Sequence, residues 1–180
     1  MTTYLHPAHN KNAIFSAVMD KDGRLLSDSY IPRLISDQLN QIIKEDLAAK
    51  GIERETFTFI MNNETSSSSE TNPEISLEDY VAAYKPEYFS GHMIVKESPN
   101  LTPEQFESAL RAVYEAGLKT VYQVGIRVIA ADEFGECVKE FKSLSEPSSS
   151  FFIDYNVVDE FEAVVDANGY NYQKVAGDGE

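Results

Sequence analysis

Tryptophan is absent from this chain, cysteine occurs once, and basic side chains are outnumbered two to one by acidic ones. Each shortage excludes something. With Cys137 alone, no intramolecular disulfide can form, so a cytoplasmic setting is expected. A lone thiol in a predicted strand, with no recognisable histidine base, reads as a buried inert residue rather than a nucleophile. Fifteen Lys and Arg against thirty Asp and Glu leave a net charge of −15. Direct nucleic-acid binding through a basic face is not expected, because that requires clustered cations to neutralise phosphates. No apolar run reaches the length of a membrane span, and Met1 to Asn10 is polar, without a signal-peptide core. The glycine-rich phosphate loops and the G-x-S-x-G nucleophile elbow are missing. Only three histidines occur. His6 and His9 lie near the start and His92 opens a strand, so with no cysteine partners a zinc site is not expected. His92 reads as structural.

What is present describes a folded domain. Hydrophobic residues make up 42% and aromatics 11% of 180 residues, enough for one real core and against a disordered chain. A single domain over residues 1–180 is expected. Residues 1–12 read as a mobile leader and the last five as disordered. Ala13 to Asp20 reads as a strand, turned at Asp22-Gly23. Asp20-x-Asp22-Gly23 resembles a fragment of a calcium loop, but the later ligands are lacking and a plain turn is expected.

Ile31 to Lys50 reads as a helix. Pro32 sits in its first turn, Ile35, Leu39, Ile42, Ile43 and Leu47 recur at helical spacing, and Gly51 stops it. Thr56 to Met61 reads as a strand. The serine-rich stretch 62–72 and the polar stretch 143–150 read as flexible loops. Ile75 to Tyr84 is a short helix capped by Ser76 and broken at Lys85-Pro86.

The strongest local signals surround the next helix. Thr102 is its N-cap, Pro103 its first residue, Gln105 completes a capping box, and Leu101 with Phe106 forms a hydrophobic staple. Phe106, Ala109, Leu110 and Val113 share its apolar face, and Gly117 is the left-handed stop. Strands are expected before it, ending at Val95, and after it, over Thr120 to Ala130. Asp132 to Gly135 then turns the chain, and Glu136 to Phe141 reads as a return strand. Core-quality residues follow, from Phe151 to Val158. Phe161 to Asp166 and Tyr170 to Val175 flank Asn168-Gly169 as a closing hairpin. This order is that of an α+β, ferredoxin-like split βαβ (β-α-β-β-α-β) domain with an additional C-terminal β-hairpin. The sheet face opposite the helices needs a cover, from the tail or from an oligomer partner.

Ala83-Tyr84-Lys85-Pro86-Glu87-Tyr88-Phe89-Ser90, running into the strand to Val95, resembles a segment of the phage S-adenosylmethionine lyases, the antirestriction enzymes long called hydrolases. The helix from Pro103, Gln123 with its β-run, and the closing stretch Val164 to Gln173 are similar in order, so the resemblance spans about residues 80–175. The serine-rich loop and the longer first helix depart from it. The resemblance implies a cytoplasmic homotrimer with sites between subunits, cleaving S-adenosylmethionine to methylthioadenosine and homoserine lactone. S-adenosylmethionine would be substrate, with no cofactor. Its own carboxylate attacks its γ-carbon and displaces the thioether, so holding the folded conformer is the main task. In that reading Glu87 is the catalytic carboxylate, orienting the amino group or a water, and Tyr84, Tyr88 and Gln123 bind substrate. Read without the resemblance, Glu87 is a solvated loop carboxylate and Gln123 a sheet residue. The alternative function is a non-enzymatic acidic inhibitor, also of phage origin, that presents a DNA-like surface to a host defence protein. Asp132, Glu133, Glu136, Asp159, Glu160 and Glu162 are the carboxylates that would form that face.

Overall fold

The computed structural model describes residues 1–6, 14–61 and 72–175. The stretches 7–12 and 62–71, read above as leader and loop, and the last five residues lie outside that set. The chain folds as an α+β protein with two sheets. A small antiparallel sheet holds β1 (Thr2–Leu5), β2 (Phe15–Met19) and β3 (Leu25–Asp28), with β2 in the middle. After helix α1 (Tyr30–Ala49) comes a five-stranded sheet whose strands lie in chain order. It comprises β4 (Arg54–Met61), β5 (Tyr88–Lys96), β6 (Tyr122–Ile129), β7 (Val157–Asp166) and β8 (Gly169–Lys174). Helix α2 (Leu77–Tyr84) precedes β5, α3 (Glu107–Val113) links β5 to β6, and α4 (Phe134–Ser143) follows β6.

The local signals operate as their chemistry dictates. Ser76 accepts the Asp79 N–H at 3.1 Å as the cap of α2. The Gln105 side chain accepts the Thr102 N–H at 2.9 Å, closing half of the capping box ahead of α3. Gly51 (φ +71°) ends α1, its N–H reaching the Ala48 carbonyl while that of Ile52 reaches Leu47. Gly117 (φ +124°) ends the α3 region, and a Cβ there would stand 2.7 Å from Glu78 Cβ. The Asp20 carboxylate accepts the N–H groups of Asp22 and Arg24, at 2.8 and 2.9 Å, so the calcium-like fragment is an Asp-closed turn. The closing hairpin is present, with Ala167 and Asn168 as its two turn residues and Gly169 (φ +124°) leading β8.

Three expectations are corrected. Residues 2–5 of the supposed leader form β1 and pair with β2. Local partners β1 and β3 thus occupy both edges of β2, which therefore stays out of the large sheet. In the split βαβ wiring that first strand would lie between the two strands joined by α3. Instead β5 and β6 pair directly and in parallel, from Phe89↔Tyr122 to Lys96↔Ile129. Finally, Glu136 to Phe141 is helix α4, not a return strand. Phe134, Cys137 and Phe141 are its buried residues, at i, i+3 and i+7, a helical period with the charged Glu136, Lys139 and Glu140 between them. The edge of β6 that a return strand would have used belongs to β7.

The sheet has two differently covered faces. On one, α1, α2 and α3 bury Ile35, Leu39, Ile43, Leu110 and Val113 against Met93, Val124, Ile126 and Phe161. On the other, α4 and a 3₁₀ turn (Ser149–Asp154) cover Phe57, Ile94 and Ile129 with Phe134, Phe141 and Phe152. The chain after β6 thus supplies this second cover. Near Gln123, Asn171 and Gln173 the same face is exposed and polar, as an antiparallel sheet tolerates.

Candidate functional site: a cation-lined cleft beside strand β4

Strand β4 is an edge of the large sheet. α1 lies against it, and the Ser36 hydroxyl donates to the Thr58 carbonyl at 2.8 Å. Beneath this contact Thr58 Oγ1 bonds Asn40 Oδ1 at 2.8 Å and the Tyr122 hydroxyl at 2.9 Å. Burial pushes the Tyr122 phenol up to about 12, so it remains neutral within this network.

Between α1, β4 and the end of α4 lies a polar cleft of about 330 Å³. Its walls carry four cations, Arg33, Lys44, Arg54 and Lys142, and two carboxylates, Asp37 and Glu55. Arg33 meets Asp37 at 3.3 Å and Lys142 meets Glu55 at 2.9 Å. Lys44 and Arg54 make no ion pair among the described residues. Burial holds the Arg54 guanidinium below its ordinary value, against the pull of Glu55. The Asp37 carboxyl is raised by burial, which outweighs Arg33, with Glu55 adding to the rise. Among the described residues, the buried side-chain nitrogen and oxygen atoms without a hydrogen-bond partner are Arg33 Nε and Nη1, Arg54 Nη2 and Thr56 Oγ1. All three residues line this one cleft. The site therefore has donors to spare and an excess of two positive charges inside a strongly acidic protein.

A second cavity, of about 480 Å³, adjoins it toward the Met61 end of β4. Both are lined by Arg33 and Phe57, whose guanidinium and ring stack at 4.5 Å.

A second polar cluster sits on the far sheet face. Arg127 bonds Glu160 at 2.6 Å, lies 4.2 Å over the Phe152 ring, and approaches His92 Nδ1 at 3.2 Å. An arginine can only donate, so His92 Nδ1 accepts and the ring proton resides on Nε2. Burial, then the Arg127 charge, lowers the His92 pKa to about 4. His92 is therefore neutral near pH 7 and fills the face between Phe59 and Phe152, each 5.8 Å away.

The residues singled out from sequence fall elsewhere. Tyr84 is on α2, its ring 5.0 Å from that of Tyr80, against the main core. Glu87 is exposed, its N–H bonded to the Met61 carbonyl and its own carbonyl accepting from Thr120 Oγ1. Tyr88 and Gln123 alternate with buried Phe89 and Tyr122, which puts both on the far face of the sheet. Tyr88 and Gln123 thus share one end of that face; Glu87 directly precedes the strand, and Tyr84 does not join them. None lines the cleft. Several of the carboxylates read as a possible DNA-like face are engaged locally: Glu160 with Arg127, Glu162 with Gln173, and Asp159 with Lys174. Cys137 is buried, and burial with Glu140 and Glu133 nearby pushes its thiol up to about 11. Among the described residues no group of three or more His, Cys, Asp or Glu is placed to hold a metal, and no helix is long and apolar enough to cross a membrane.

The cleft had a sequence signal. Arg33, Asp37, Asn40, Gln41 and Lys44 recur at helical spacing and form a polar stripe on one side of α1. The pairing of that stripe with Arg54 and Lys142 is tertiary.

No protein-family model matches this chain, and no curated protein matches it. Among solved structures, the crystal structure of a DUF5037 family protein from Ruminococcus gnavus ATCC 29149 is similar, with a TM-score of 0.64 at 13% identity. The match covers 94% of this chain and 80% of that one. At that identity the likeness is one of fold, and it places this chain's α+β architecture beside a solved example.

Proposed function

We propose that this protein binds a small molecule bearing a phosphate or carboxylate group in the cleft between α1, β4 and α4. One observation carries the reading: the buried, unpartnered polar atoms of Arg33, Arg54 and Thr56 all belong to the walls of that cleft. A buried donor without an acceptor costs about 1–3 kcal/mol, more when it is charged. An oxyanion supplies acceptors and balances the local excess of positive charge. Arg54 is the residue with most to gain, since it makes no ion pair among the described residues. Calorimetric titration with inorganic phosphate and with acetate tests the proposal. Binding is expected in wild type, weakened by added salt and at least about tenfold poorer in Arg54→Met. Absence of binding at millimolar ligand overturns it.

A second reading is cleavage of S-adenosylmethionine to methylthioadenosine and homoserine lactone, by a trimeric phage antirestriction enzyme acting in the bacterial cytoplasm. It is supported by the family resemblance and by the placement of Tyr88 and Gln123 at one end of a sheet face, with Glu87 next to Tyr88 in the chain. Release of methylthioadenosine by the purified protein is its assay. No turnover above background at micromolar enzyme removes it.

A further inference from the structure

We infer that the anion held in the cleft is the head of a larger ligand, a phosphate monoester of an apolar alcohol or phenol, whose body occupies the second cavity. The inference rests on the anion-binding reading and specifies the substrate class of that same site. Three observations lead to it.

The first is contiguity. The two cavities are consecutive along β4, the polar one from Arg54 to Phe57 and the other from Phe57 to Met61. The stacked Arg33 and Phe57 side chains are common to both. A ligand whose charged end meets Arg33 therefore has its remaining atoms beside Phe57, at the mouth of the second cavity.

The second is the chemistry of that cavity. Its apolar walls include Tyr4, Ile14, Phe15, Phe59, Ile60 and Met61. The four hydroxyls on its α1 and β2–β4 walls already have partners, while Thr2, Ser145 and Glu146 also line it. Ser16 and Ser29 bond each other at 3.0 Å, Ser36 donates to the Thr58 carbonyl, and Thr58 Oγ1 bonds Asn40 and Tyr122. A sugar packed against Phe57, Phe59 and these engaged hydroxyls would lose hydrogen bonds to water without replacing them there, whereas an aryl or alkyl body loses none.

The third is charge. Four cations against two carboxylates leave the polar cleft with an excess of two. That matches a phosphomonoester dianion better than a carboxylate monoanion.

Calorimetric titrations with inorganic phosphate, phenyl phosphate and benzyl alcohol at one ionic strength test the inference. Phenyl phosphate is expected to bind about tenfold or more tighter than inorganic phosphate, and benzyl alcohol only weakly. Phe59→Ser should bring the affinity for phenyl phosphate down toward that for phosphate while leaving phosphate unchanged. Met61→Ser, at a position 40% exposed and so safe for folding, should do the same to a smaller degree. If phosphate binds and Arg54→Met abolishes it, but phenyl phosphate binds no tighter, the larger ligand is refuted and the anion site stands. If phenyl phosphate binds tighter yet neither Phe59→Ser nor Met61→Ser changes its advantage, the body lies elsewhere and the inference falls. If neither anion binds, the anion-binding reading fails and takes the inference with it.

Discussion

His92 offers a test of the far sheet face that is independent of any ligand. In the folded protein its pKa is lowered from 6.5 to about 4 by burial and by the Arg127 charge. In the unfolded chain it titrates near its ordinary value. Between those two values the unfolded state binds a proton that the native state does not. Unfolding is therefore favoured as the pH falls through this window, so the stability His92 supports is present above about 6.5 and lost progressively toward 4. At ~1.36 kcal/mol per pH unit the full interval corresponds to roughly 3 kcal/mol. The ring is only half-buried, and solvent screening reduces the expected effect to about 1–2 kcal/mol. The perturbation is His92→Gln, whose carbonyl oxygen can still accept from Arg127 but which does not titrate. Urea unfolding of wild type and variant at pH 7 and pH 4.5 gives four stabilities. Other carboxylates change both proteins alike and cancel in the comparison. Wild type should lose about 1–2 kcal/mol more than the variant on going from pH 7 to 4.5. Parallel losses would refute the argument, since they would mean that His92 titrates alike in the folded and unfolded chains.

Three further outcomes follow from the geometry. Arg54→Met removes a guanidinium nitrogen buried without a partner, so its stability in urea should match or exceed wild type by about 1 kcal/mol even as phosphate binding is lost; a marked loss of stability would show that Arg54 is already satisfied. Cys137, buried and with its thiol pushed up to about 11, should react with a thiol reagent only after denaturant is added, and rapid labelling of the native protein at pH 8 would contradict its placement under α4. Gly117→Ala should cost at least about 2 kcal/mol by urea unfolding, because φ is +124° and the new methyl would meet the Glu78 backbone at 2.9 Å.

Much of the architecture is written locally. The Thr102–Gln105 cap, the Gly51 and Gly117 stops and the apolar stripe of α1 depend on residues within a few positions of one another, so each can be read before any partner is known. The same holds for the hairpin at Asn168, where two flanking strands need only a turn between them. α4 was less legible because Phe134, Cys137 and Phe141 lie in a stretch short enough to pass for a strand, and only its burial over Ile94 and Ile129 decides the matter.

Which strands pair, and what gathers at their edges, was left to the tertiary structure. Strand-length apolar runs do not specify their neighbours, so nothing in Phe15 to Met19 announced that β1 and β3 would enclose it and leave β5 and β6 to pair directly. The cleft shows the same limit more sharply. Arg33, Arg54 and Lys142 are far apart in the chain, and each alone resembles an ordinary surface cation. Only the packing of α1 and α4 about β4 buries donors without acceptors and makes their charge local. The sequence determined the capped helices, the closing hairpin and the acidity of the whole, because propensity, capping and composition are short-range or additive. The tertiary structure alone decided where positive charge collects, because desolvation depends on what every other element covers.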